Sequence, residues 1–70
     1  MFHPHSYRVG DHVKLTRALA NDEGTFEAGH EFEITALYER HGVPLYDLRD
    51  RDLNLLTEVP FEDLSWDSPG

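Results

Sequence analysis

The sequence predicts an all-β domain, a small barrel of five strands, and three observations carry that expectation. Apolar and polar residues alternate with a period of two in several short stretches. The clearest runs Phe32, Ile34, Ala36 and Tyr38 against Glu31, Glu33, Thr35 and Leu37. Turn-forming clusters such as Asn21-Asp22-Glu23-Gly24, Glu39-Arg40-His41-Gly42 and Asp50-Arg51-Asp52 separate the stretches at intervals of about 8–12 residues. Nowhere does the chain carry a long apolar face at helical spacing.

The first strand is expected from Val9, Val13 and Leu15, which fall on one side of an extended chain, with His12 and Lys14 on the other. Gly10-Asp11 reads as a turn or bulge that starts the strand proper at His12. Arg17 to Gly29 is a long first loop without regular structure. Ala18-Leu19-Ala20 gives a weak helical hint, Thr25-Phe26-Glu27 a brief pairing, and Leu19 and Phe26 are expected to pin the loop to the barrel.

His30 to Tyr38 is the second strand, and Gly42 gives the following hairpin the freedom to take positive φ. Pro44 to Arg49 is its partner, with Tyr46 and Leu48 inward and Leu45, Asp47 and Arg49 outward. Asp50-Arg51-Asp52 is an exposed polar turn in which Asn54 takes the left-handed position. Leu53, Leu55, Thr57 and Val59 then form the third strand of the meander. Pro60 ends that ladder, because it has no N–H and a fixed φ. Pro-Phe-Glu-Asp-Leu has the length of one 3₁₀ turn before a last strand at Leu64 and Trp66, expected beside Val13 and Leu15. The expected core is Val13, Leu15, Phe32, Ile34, Ala36, Tyr46, Leu48, Leu55, Val59 and Leu64.

Seventy residues make one domain. Residues 7–66 form the barrel, and residues 1–6 and 67–70 read as flexible tails. A chain this short has marginal stability unless a disulfide, a metal or a partner chain assists it. It has no cysteine, which removes disulfides and thiolate metal sites. Fourteen acidic against six basic residues give a net charge of −8, and a surface of that sign repels nucleic acid and anionic lipid. The acidic excess is densest from Asp22 to Glu33. No apolar run reaches the ~20 residues of a membrane span, and the N-terminus lacks the pattern of a signal peptide. These features lead to the expectation of a cytoplasmic, bacterial-type protein.

Val9-Gly10-Asp11-His12-Val13-Lys14-Leu15, Glu27-Ala28-Gly29-His30-Glu31-Phe32-Glu33-Ile34, Tyr46-Asp47-Leu48 and Val59-Pro60-Phe61-Glu62-Asp63-Leu64 come in a familiar order. Over about residues 7–66 the chain resembles SH3-like small barrels. Among these are bacterial domains of unknown function, the C-terminal barrel of the nitrile hydratase β-subunit and the type II dihydrofolate reductases. The resemblance implies a five-stranded barrel with a long first loop, a 3₁₀ turn before the last strand, and an accessory or subunit role. SH3 domains that bind proline-rich peptides carry a Tyr in the Pro-led turn, where this chain has Asp63. The type II reductases carry a Val-Gln-Ile-Tyr strand motif, where this chain has Leu55-Leu56-Thr57-Glu58.

For chemistry the sequence offers little. There is no nucleophile elbow, no Gly-rich phosphate loop and no Cys, and no catalytic residue or cofactor is expected. Five histidines allow a second reading, a small-ligand or divalent-metal binder in which His3 and His5 chelate with the N-terminal amine, joined by His12 or His30. The first reading is a non-catalytic protein-interaction or subunit module. On strict alternation Leu37, Leu45 and Leu56, from three consecutive strands, all point away from the core. Side by side they would form an outer patch that binds another protein or a second copy. The competing reading is a β-bulge near Leu37 or Leu56 that turns the leucine inward.

Overall fold

The computed structural model describes residues 7–66, so the expected tails at 1–6 and 67–70 lie outside the described residues. The fold is all-β. Its strands are β1 (His12–Leu15), β2 (Leu19–Asn21), β3 (Gly24–Phe26), β4 (Glu31–Arg40), β5 (Val43–Arg49), β6 (Leu55–Pro60) and β7 (Leu64–Trp66), with a 3₁₀ turn over Phe61–Asp63. Five strands form one antiparallel sheet in the order β6-β5-β4-β1-β7, and β2 and β3 form a separate hairpin.

The last strand returns to the first as expected, Val13 pairing with Trp66 and Leu15 with Leu64. Two further ties hold that return. The Thr16 N–H donates to the Asp63 carbonyl at 2.9 Å, and Arg17 Nε lies 3.1 Å from the buried Asp63 carboxylate. No ladder joins β6 to β7, the two ends of the order, so the sheet is open where closure into a barrel was expected. Its edges are blunted instead: β7 has three residues, and β6 carries a bulge and ends in Pro60.

The long first loop is not irregular. Asn21 Oδ1 accepts the Glu23 N–H at 2.9 Å, and Gly24 at φ 145° completes a tight turn. Leu19 to Asn21 therefore pair with Gly24 to Phe26, which overrides the weak helical hint. Phe26 is buried and Leu19 packs against the core, so both do pin this hairpin.

Two bulges meet at Asp47 and reset the faces of the meander. In β4, Ile34 pairs with Leu48 but Ala36 pairs with Asp47, which leaves Thr35 as an inserted residue. In β6, Val59 pairs with Tyr46 and Leu56 with Leu48, so Thr57 and Glu58 together span the single residue Asp47. Glu58 adopts φ 57° there. Its N–H is bound by the Tyr38 hydroxyl oxygen at 3.1 Å and by Asp47 Oδ1 at 3.2 Å. Asp47 Oδ1 also accepts the Tyr38 hydroxyl at 2.8 Å. Side chains of β4 and β5 thus satisfy the amide that the insertion frees from the ladder.

A one-residue insertion puts the side chains before it and after it out of step by one face. Leu56 is consequently core, 4% exposed, and Leu55 is outside at 52%. Ala36 is half-buried on the outer side with Asp47, and Leu37 joins the row of Tyr46. The remaining expected core residues are buried, and Tyr7 adds to them. Its ring contacts those of Tyr46 at 5.5 Å, Phe61 at 5.1 Å and Trp66 at 4.6 Å, so it plugs the end of the core where the last strand arrives.

Candidate functional site

The densest polar constellation among the described residues is built on Asp50, expected to be an exposed turn residue and in fact 5% exposed. It leaves β5 at the point where Leu48 and Arg49 finish their pairing with β6. Its Oδ1 accepts the N–H groups of Asp52 at 3.0 Å and Asn54 at 2.8 Å. Its Oδ2 accepts Asn54 Nδ2 at 3.0 Å and His30 Nε2 at 2.9 Å. Backbone bonds from Asp50 to the Asn54 carbonyl and from Leu53 to the Asp50 carbonyl, both 3.0 Å, close the turn.

Burial pushes the Asp50 pKa up. The bonds from the Asn54 side chain, from His30 and from the two backbone N–H groups outweigh it and bring the pKa down to about 2. His30 reaches Asp50 from the opposite turn, at the entrance of β4. Its ring is held between Phe26 at 5.2 Å and Phe32 at 4.8 Å, and its carbonyl accepts the Leu15 N–H at 3.1 Å. Donation from Nε2 to a carboxylate fixes the tautomer in neutral His30. The pair is thus a joint between two turns. A shallow cavity of about 190 Å³ opens beside it, lined by His12, Glu31, Glu33, Arg49 and Arg51 among others.

A turn this firmly held has an unexpected product. Leu53, not Asn54, takes the left-handed conformation at φ 68°, because Asn54 is engaged on Asp50. Leu53 is also 72% exposed, the most exposed large apolar side chain among the described residues. Leu55 was expected in the core, and it projects outward instead. The Leu55 carbonyl accepts Asn21 Nδ2 at 2.8 Å, which sets the tip of the β2–β3 hairpin against the start of β6.

The three leucines expected to form one outer patch do not share a surface. Leu56 faces the core. Leu37 pairs with Tyr46 and Leu45 with Tyr38, so Leu37 lies on the Tyr46 face and Leu45 on the opposite one. Leu37 remains 48% exposed at the end of its row, and Leu45 is half-buried.

Of the histidines named for a metal, His3 and His5 lie outside the described residues. His12 is exposed on β1, and His30 is bound to Asp50. No group of three or more His, Cys, Asp or Glu among the described residues is arranged to hold a metal ion. No helix among them is long and apolar enough to cross a membrane. Sequence reasoning missed Asp50, His30 and Leu53. The one available signal was Asp50-x-x-x-Asn54, two Asx residues spaced to bridge a turn. The chain matches no protein-family model, no curated protein and no solved structure.

Proposed function

We propose that the domain is a non-catalytic protein-interaction or subunit module, built on an SH3-like layout. The carrying observation is Leu53, which combines a left-handed backbone with 72% exposure. Left-handed geometry costs a non-glycine residue roughly 1–2 kcal/mol, and an exposed leucine recovers none of that by burial. Backbone outliers kept at such a cost cluster at functional positions, and Leu53 has no bulge or two-residue hairpin to account for it. An apolar side chain held out on a rigid turn binds a partner with little loss of entropy. Leu37, Val43, Leu55 and Trp66, each about half exposed, supply further apolar contact surface. In support of a non-catalytic role, both buried carboxylates are engaged within the fold, Asp50 on its turn and Asp63 with Arg17.

Site-specific photo-crosslinking tests this reading. A photoreactive residue replaces Leu53, Leu37 or Trp66 in cells that produce the protein, with Glu27 as the control position. Discrete heavier adducts are expected from at least one of the three and not from Glu27. The absence of adducts from all three overturns the reading.

A further inference from the structure

The sheet opens where β4 begins. Along a strand the backbone groups of successive residues face alternate neighbours. Ile34 donates to the Asp11 carbonyl at 2.9 Å and accepts the Gly10 N–H at 2.8 Å, and the His30 carbonyl accepts the Leu15 N–H at 3.1 Å. The backbone groups of His30, Phe32 and Ile34 therefore face β1, and those of Glu31 and Glu33 face β5. Glu33 has its partner there in Arg49, where the β4–β5 ladder ends. Arg51 stands where a partner for Glu31 would follow, but it belongs to the turn that Asp50 ties to Asn54. Among the described residues no backbone bond joins Glu31 to Asp50, Arg51 or Asp52. The Glu31 N–H and carbonyl thus open onto a wedge between the two strands.

That wedge is the cavity of about 190 Å³ beside Asp50. A second cavity, of about 250 Å³, shares its Glu31, Asp50 and Arg51 walls and extends to Gly29 and Asp52. Three charges in these walls have no ion pair among the described residues: the Glu31 and Asp52 carboxylates and the Arg51 guanidinium. Lys14 pairs opposite Glu31 on β1 but forms no ion pair with it. Arg49 is taken by Glu33 at 3.5 Å, and Asp50 by its own turn and His30.

A ligand that displaces water from the wedge must match these groups, a donor and an acceptor on the backbone, one cation and two carboxylates. We infer that the wedge binds a free basic α-amino acid, of the lysine or arginine class. Its carboxylate accepts from Arg51 and from the Glu31 N–H, and its ammonium donates to the Glu31 carbonyl and carboxylate. Asp52 is left for the cationic side chain. Each cavity is smaller than the ~300–1,000 Å³ of drug-sized sites, a scale that fits one amino acid. The Glu33–Arg49 pair closes the inner end of the wedge, so a peptide cannot run through it. Both walls are held before binding, Glu31 by its pairing with β1 and Arg51 by the turn on Asp50. The inference goes beyond the interaction-module reading, which rests on Leu53, and does not depend on it.

Titration of the full chain with L-lysine, followed by backbone amide chemical shifts, tests the site. Saturable binding is expected with a Kd of about 1 mM, and the largest shifts at Glu31 and Arg51. Analogues separate a site from mere attraction. A chain of net charge −8 attracts lysinamide, which carries one more positive charge, more strongly than lysine. Recognition of the carboxylate by Arg51 reverses that order, so lysinamide is expected to bind about tenfold or more weakly than lysine. Nα-acetyl-lysine, which lacks the ammonium, is expected to lose a similar factor. Arg51→Gln is expected to abolish the preference for lysine over lysinamide, and Asp52→Asn the preference for lysine over norleucine. Both side chains are exposed, so thermal unfolding of the two variants is expected to match the wild type. No saturation below about 20 mM lysine, or lysinamide or Nα-acetyl-lysine binding as tightly as lysine, would overturn the assignment. So would shifts centred away from Glu31, or either preference surviving its variant. None of these outcomes bears on the crosslinking test at Leu53, which stands or fails separately.

Discussion

The turn joining β4 to β5 and the turn joining β5 to β6 belong to the same meander, yet different atoms hold them. In the first, His41 and Gly42 take φ of 55° and 78°, the two successive left-handed residues that a two-residue hairpin requires. The backbone sets that turn, with glycine at one of its two positions. In the second, a buried carboxylate collects the N–H groups of Asp52 and Asn54, the Asn54 amide and a histidine from another loop. Its left-handed residue is a leucine. One turn is a local conformational preference, and the other is a tertiary structure in miniature.

The largest test of that contrast is removal of the carboxylate. Asp50→Ala leaves two backbone N–H groups, the Asn54 amide and His30 Nε2 without their acceptor at a nearly water-free position. Each buried unmet donor costs about 1–3 kcal/mol. Relaxation and water entry cut the sum, so a loss of about 3 kcal/mol is expected in denaturant unfolding. Gly42→Ala at the other turn meets no atom within 4 Å and faces only the left-handed backbone cost, about 1 kcal/mol. If Asp50→Ala costs no more than Gly42→Ala, the two turns are built alike and the contrast fails.

Acid separates them next. The folded pKa of Asp50, about 2, lies below its unfolded value of 3.8. The stabilisation it supplies is therefore complete above pH 3.8 and is lost as the pH falls toward 2. A shift of this size corresponds to roughly 2 kcal/mol. The stability difference between wild type and Asp50→Asn should shrink by about that amount between about pH 5 and pH 2. Gly42→Ala should keep a constant difference over the same range. A wild-type advantage over Asp50→Asn that does not change with pH would show that the hydrogen bonds do not lower the Asp50 pKa.

The same contrast explains what could be read in advance. The all-β class, the Pro60-led 3₁₀ turn, the return of β7 to β1 and the hairpin at Gly42 follow from alternation and from residues with one strong backbone preference. The inner residues of β1 and β5 follow too, because neither strand takes an insertion. What alternation misplaces is the part of a strand that a bulge separates from the residues that fix its inner face. Thr35 and Glu58 have no glycine or proline to announce an irregularity, so Leu37, Leu55 and Leu56 were assigned to the wrong faces. The cause of the bulges is non-local: Asp47 and Tyr38 supply the bonds that the Glu58 amide needs, and they lie on other strands. Burial of Asp50 was hidden for a similar reason. Its fourth donor, His30, is twenty residues away, and without it Asp50-Arg51-Asp52 is indistinguishable from a solvated turn.

The smallest effect is the most discriminating, since it asks whether Leu53 is present for the fold at all. Leu53 donates its own N–H to the Asp50 carbonyl, a bond that any residue except proline preserves. Its side chain is 72% exposed and so contributes little packing. Asparagine tolerates a φ near 68° better than leucine does, because its short polar side chain bonds locally in the left-handed region. Leu53→Asn should therefore raise stability by about 0.5 kcal/mol, read as a small upward shift of the unfolding midpoint with the denaturant slope unchanged. Gly42→Asn at the first turn should do the reverse, losing a few tenths of a kcal/mol, since glycine already takes that conformation without strain. Opposite signs for one substitution at two left-handed positions would show that the first turn is optimised for the fold and the second is not. A clear loss of stability in Leu53→Asn would mean that the leucine packs within the domain. It would also withdraw the reason for regarding it as a contact surface.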